Sequence, residues 1–172
     1  MATLLCTSRY RSVFRLSDKL PAEVCSENGR LGPWYANTLS IDQQRLLHYM
    51  SSRTLISIIV WQRESRTAEE RMGTAFADLL REFGVERTSI EAELQAMCTF
   101  VYARATDRSR LASMRDQMIT AKHAVHRGRA HSPWEIMLAL SYMPLASLEF
   151  RSSRSATFNA LQSQRTALRG GA

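Results

Sequence analysis

The side chains best suited to chemistry gather between residues 104 and 131. His123 and His126 are three apart, His131 follows, and Asp107 and Asp116 lie upstream. Two imidazoles on one helical face can hold a metal ion, and a hydrolase or nuclease would use Asp107, Asp116 and the histidines as acids and bases. A metal site needs three or four convergent ligands, however, and no HExxH or CxxC spacing provides them. At a helix end, histidine simply suits the negative pole of the dipole. No glycine-rich phosphate loop and no Gly-x-Ser-x-Gly elbow is present. No metal, cofactor or catalytic residue is therefore assigned, and a binding protein is preferred over an enzyme. Cys98 has no obvious activator and reads as a buried structural thiol.

The basic residues form the strongest binding candidate: Arg104, Arg108, Arg110, Arg115, Lys122, Arg127 and Arg129. Arg108, Arg115 and Lys122 recur every seven residues and share a helical face, with Arg104 arriving from a preceding strand. Such a stripe follows a phosphate backbone or docks on an acidic protein surface. In Asp107-Arg108-Ser109, the serine reads as a helix cap, and Arg108 is placed to take a carboxylate or phosphate at the helix start. Trp34 and Tyr35 can stack on bases or anchor an interface, core packing being the competing reading. The formal charge of +7 is a C-terminal property, since residues 98–172 carry eleven bases against four acids. Lys19 and Lys122 are the only lysines; a GC-rich genome would favour arginine in the same way.

These residues need a scaffold. Ala2–Thr7 predicts a strand and Ser8–Leu16 a short basic helix, followed by a loop over 21–32 with a turn at Asn28-Gly29. Trp34–Leu39 and Gln44–Met50 read as strands, the second with a helical alternative. Thr54–Val60 is β-branched and almost continuously apolar, as in a central buried strand. Thr67 with Glu70 predicts a capping box opening a helix buried through Met72, Phe76, Leu79, Leu80 and Phe83 and stopped by Gly84. A second box, Thr88 with Glu91, opens a helix buried through Ile90, Leu94 and Met97. Thr99–Ala103 returns to strand. Ser109 to about Val125 is helical, with Leu111, Met114, Met118, Ile119 and Val125 on roughly one face. Ser132-Pro133-Trp134-Glu135 starts another helix, ending before Pro144. Ala156–Leu161 forms a last turn or two.

Strands first, then a helical pair, a strand and more helices predict an α+β fold. The expected sheet is antiparallel or mixed, of about four to five strands, with helices on one side and a helical C-terminal part. Residues 1–162 read as one domain and 163–172 as a flexible tail. No run approaches the length of a membrane span; the longest apolar one is Leu55 to Trp61, broken by Ser57. Arg9, Arg11 and Arg15 interrupt any secretory signal, and three widely spaced cysteines, Cys6, Cys25 and Cys98, suit reduced thiols in the cytoplasm.

Four segments carry a resemblance: Leu5-Cys6-Thr7, Leu31-Gly32-Pro33-Trp34-Tyr35-Ala36-Asn37, Ser52-Arg53-Thr54-Leu55, and the block from Asp107 to Asp116. Together they resemble a family of uncharacterised bacterial proteins, a domain of unknown function sometimes encoded near plasmid or transposon genes. Pro33 and Arg115 depart from the family pattern, which has aspartate and asparagine at those points. The resemblance implies the fold class and a bacterial or mobile-element origin, and no activity. The leading expectation is a protein-binding module or inhibitor, encoded by a phage or mobile element and acting on a host defence or regulatory complex, as anti-CRISPR proteins do. Its partner would be an acidic protein surface or a protein–nucleic acid complex. An RNA- or DNA-binding antitoxin or regulator comes second, and a hydrolase or nuclease third.

Overall fold

A computed structural model describes residues 1–22, 29–62 and 67–162. The sheet has five strands in the order β4-β3-β2-β1-β5. Strand β1 (Ala2–Cys6) runs parallel to β2 (Trp34–Ile41) on one side and to β5 (Phe100–Arg104) on the other. A two-residue turn, Asp42-Gln43, has both residues at positive φ and returns the chain to β3 (Gln44–Ser51), which is how a hairpin matches the twist of its strands. Strand β4 (Ser57–Trp61) pairs antiparallel with β3. The sheet is therefore mixed, and Gln44–Met50 is strand, not helix.

The apolar run at Thr54–Val60 does not make a central strand. Thr54–Ile56 form the turn, with Leu55 at φ 56°, and Ser57–Trp61 lies at the sheet edge. Continuous hydrophobicity reports that both faces of a strand are covered, and says nothing of its lateral neighbours. Helices α2 (Ala68–Glu82) and α5 (Pro133–Tyr142) both pack on β4.

Period-two alternation divides the sheet into two faces. Helix α1 (Ser8–Phe14) and α2 cover the first, where the hydroxyls of Tyr10 and Tyr49 lie 3.1 Å apart and Phe76 meets Trp34 edge-on. Helix α4 (Arg108–His126) covers the second, where its Gln117 and Met118 reach Ser57 and Asn37. The class is α+β with a helical C-terminal part. The helices flank both faces, however, because the connections leaving β1 and β5 depart in opposite directions. Helices α3 (Arg87–Ala96) and α6 (Ser153–Gln162) complete the chain. Cys25 and Asn28, with residues 163–172, lie outside the described residues.

Helix starts follow the sequence unevenly. Ser132 caps α5 by accepting the Glu135 N–H, and the Glu135 carboxylate accepts the His131 N–H. The other two boxes do not form. The Thr67 hydroxyl accepts from the Arg71 guanidinium, and Glu91 is held by Arg87 at 2.6 Å. Ile119 is exposed, and the fully buried Gln117 takes a place on the inner face of α4.

Of the described glycines at positive φ, Gly84 and Gly32 sit in contrasting surroundings. Gly84 (φ +75°) ends α2 with nothing near its absent Cβ, whereas a Cβ on Gly32 (φ +73°) would lie 2.6 Å from Ser52 Oγ. Gly84→Ala is expected to cost roughly 1–2 kcal/mol from backbone conformation alone. Gly32→Ala should cost about 1 kcal/mol more from crowding. Paired urea titrations check this, and equal losses would mean that Ser52 simply rotates away.

Candidate anion-binding cleft

Strands β1 and β5 lie side by side and parallel, with Cys6 opposite Arg104. Beyond their carboxyl ends the chain turns to α1 on the Tyr49 face and to α4 on the Gln117 face. A crevice opens where neighbouring parallel strands send their connections to opposite faces, a position that commonly holds ligands. Here it is a cleft of about 620 Å³ with Cys6, Thr7 and Asn37 among its lining residues. Arg9 and Arg11 enter from α1, Arg104 from β5, and Arg115 from α4 between Leu111 and Met118. Four arginines and no acidic residue or histidine are among the lining residues.

Local bonds fix this geometry. The Thr7 hydroxyl donates to Asn37 Oδ1 at 2.8 Å and accepts the Tyr10 N–H, capping α1. The Asn37 amide donates to Met118 Sδ at 3.4 Å, tying β2 to α4. The Ala105 N–H donates to the Cys6 carbonyl at 3.1 Å, carrying the β1–β5 contact past the strand ends. Arg11 reaches Asp18 at 3.0 Å, while its Nε is buried without a hydrogen-bond partner. Among the described residues Arg9, Arg104 and Arg115 form no ion pair. Asp107, and not Ser109, caps α4 by accepting the N–H groups of Ser109 and Arg110 at 2.8 and 3.2 Å. The anion-binding end of that helix is thus already occupied by a carboxylate.

The Cys6 thiol donates to the Leu4 carbonyl and is pushed up to about 12, chiefly by burial, with Arg11 opposing and Glu69 adding to the rise. It is protonated at neutral pH and is no nucleophile. Cys98 is exposed, against the expectation of a buried thiol; it directly follows the C-cap of α3, where the chain turns over the surface.

The candidate residues divide. Arg104 and Arg115 line the cleft; Arg108 and Lys122 share Arg115's helical face outside it and are exposed. Arg110 is half-buried near Tyr35. Arg127 and Arg129 are exposed beyond the far end of α4, roughly 28 Å from its start at 1.5 Å per residue. Trp34 and Tyr35 are buried at 1% and 4% exposure, so neither ring presents a stacking surface; they fill the cores on opposite faces of the sheet. Asp107, Asp116 and His126 are strung along the same helix and do not converge. His126 instead meets Asp42 at 3.1 Å. Among the described residues no group of three or more His, Cys, Asp or Glu is placed to hold a metal, and no helix is long and apolar enough to cross a membrane.

Arg9 and Arg11 were not among the sequence candidates. Their signal was position: arginines just after an apolar strand, at a strand-to-helix turn, where parallel sheets place their ligands. The cleft also gathers parts of three segments singled out above, through Cys6 and Thr7, Asn37, and Leu111 with Arg115. No curated protein and no solved structure matches the chain. One family profile does so over residues 4–155, from the first strand into the last helix, and the chain therefore belongs to the family Domain of unknown function (DUF6933).

Proposed function

We propose that the protein is a non-enzymatic, cytoplasmic binding module that holds an anionic group of its partner in the cleft between α1, β5 and α4. The observation that carries this is four arginines lining one crevice, of which Arg11 is paired with Asp18 while Arg9, Arg104 and Arg115 form no ion pair among the described residues. Like charges brought together without counter-charges repel, and an anion relieves that repulsion. A binding role is supported by the same lining, which offers no general base, and by the protonated Cys6. The test is fluorescence anisotropy with a short single-stranded RNA and an acidic peptide of equal charge. Arg104→Ala/Arg115→Ala should weaken binding about tenfold or more. Arg127→Ala/Arg129→Ala, which removes the same net charge elsewhere, should change it less than about threefold (roughly 0.6 kcal/mol). Equal losses in the two variants would show a diffuse charge effect and overturn the cleft as the site.

A second reading is a protein-binding inhibitor, encoded by a mobile element and directed at a bacterial defence or regulatory complex. It is favoured by the exposure of Tyr142 (52%) and Phe150 (76%). The Arg154 guanidinium lies 5.0 Å from the Tyr142 ring, and a bridge between Pro144 and Ser152 closes the loop carrying Phe150. Exposed aromatics with arginine are the residue types that anchor protein interfaces. A tagged pull-down from bacterial lysate would support it through a complex that survives nuclease and is lost with Phe150→Asp. A complex lost on nuclease treatment would point back to a nucleic acid.

A further inference from the structure

We propose that the anion taken by the cleft is a phosphate monoester carried on an uncharged organic body, an inference that rests on the anion-binding reading above. A carboxylate is satisfied by one bidentate guanidinium. A phosphate monoester carries roughly −1.5 to −2 charge and three terminal oxygens, and it can engage guanidinium groups from several directions. The cleft is built for the second case, because its four arginines come from three elements on both walls.

The backbone leaves this work to side chains. The first free N–H groups of α4 are taken by Asp107, and the Tyr10 N–H of α1 is taken by Thr7. Those N–H groups are spent on caps, and the charged groups that the lining offers an anion are the planar forks of arginine. Ser8 and Thr106 also line the cleft, while the hydroxyl of Thr7 is spent on Asn37.

Size and polarity require more than a bare phosphate. At about 620 Å³ the space falls within the roughly 300–1,000 Å³ that organic ligands occupy. On α4, Leu111 and Met118 stand seven residues apart on one face with Arg115 between them. This wall offers apolar, cationic and apolar surface in turn, so that a charged head at Arg115 leaves the attached body against Leu111 or Met118. A polyanion running through the cleft would gain nothing from those two contacts.

The test is calorimetric titration of the full chain with inorganic phosphate, ribose 5-phosphate, adenosine 5′-monophosphate, adenosine and succinate. The nucleotide or the sugar phosphate should bind at least about tenfold more tightly than inorganic phosphate, with no heat from adenosine or succinate. Arg104→Ala/Arg115→Ala should abolish phosphate binding. Leu111→Ser, with its fold checked by circular dichroism, should keep inorganic phosphate but erase the advantage of the organic esters. Equal affinity for inorganic phosphate and both esters would overturn the organic body. Succinate or an acidic peptide binding where no phosphate does would overturn the phosphate and leave the anion-binding reading standing. If no anion binds in either experiment, both readings fall.

Discussion

Trp34→Ala is expected to lower the unfolding free energy by about 4 kcal/mol, within the range for truncating a buried aromatic. The ring is 1% exposed and its centroid lies 5.3 Å from that of Phe76 at an interplanar angle of 79°. Truncation removes the burial of the largest core side chain and leaves a cavity between β2 and α2 that neither element can close, since β2 is paired on both sides. For a chain of this size the loss corresponds to roughly 8–16 °C in melting temperature. Trp34→Phe should recover much of it by retaining an aromatic against Phe76. Chemical denaturation followed by circular dichroism checks the effect. A loss under about 1 kcal/mol would place the ring at the surface, where the stacking role first considered for it would be available again.

Acid should destabilise the fold through one residue, His48, by on the order of 3 kcal/mol. Its imidazole is fully buried, and burial pulls it down to about 4. Ser57 donates to Gln117 Oε1 at 2.6 Å, so its oxygen accepts from His48 Nε2 at 2.8 Å, and Gln117 Nε2 donates to the Leu55 carbonyl. That chain fixes a neutral ring protonated on Nε2, with Nδ1 buried and unpartnered. A second proton would have to enter on Nδ1, where nothing accepts it.

The folded value is depressed below the unfolded one, near 6.5, so the stabilisation is complete above about pH 6.5 and is lost as pH falls toward 4. In that window the unfolded chain takes up a proton that the folded chain refuses. Below 4 both states are protonated and the loss levels off. An NMR titration of the His48 ring should find its midpoint near 4, and His48→Gln should remove this part of the pH dependence. A midpoint at 6 or above would mean that the ring is solvated.

Local chemistry was legible in the sequence and lateral arrangement was not. The Ser132–Glu135 start of α5 follows from adjacent side chains and appears as expected. So does the α2 face through Met72, Phe76, Leu79 and Leu80, because its period is a property of one segment. In the failed boxes arginines take the oxygens: Arg71, one turn after Thr67, holds its hydroxyl, and Arg87, one turn before Glu91, holds its carboxylate. The edge position of β4 depended on which strands pair beside it, and the split of helices between two faces depended on the hand of each crossover. The cleft was half visible: Arg104 and Arg115 stood out within a basic C-terminal segment. Arg9 and Arg11, almost a hundred residues earlier, join them only because β1 and β5 are neighbours. Trp34 and Tyr35 were weighed between surface and core, and burial of both faces of β2 decides for the core.

The pairing of Cys6 with Arg104 has a consequence for the order in which the molecule forms. The meander of β2, β3 and β4 closes through short turns and can assemble as soon as its residues are synthesised. Of the five strands β1 is synthesised earliest, yet its second neighbour follows only after the whole helical pair α2–α3. Pairings between such distant segments are slow to form. Until then the β5-facing edge of β1 stands open to strand pairing with other chains. The cleft draws its walls from both sides of that late pairing, so the binding proposed for it would arrive with the last closure of the sheet. A ligand present at that moment would retain closed molecules and draw the population toward them.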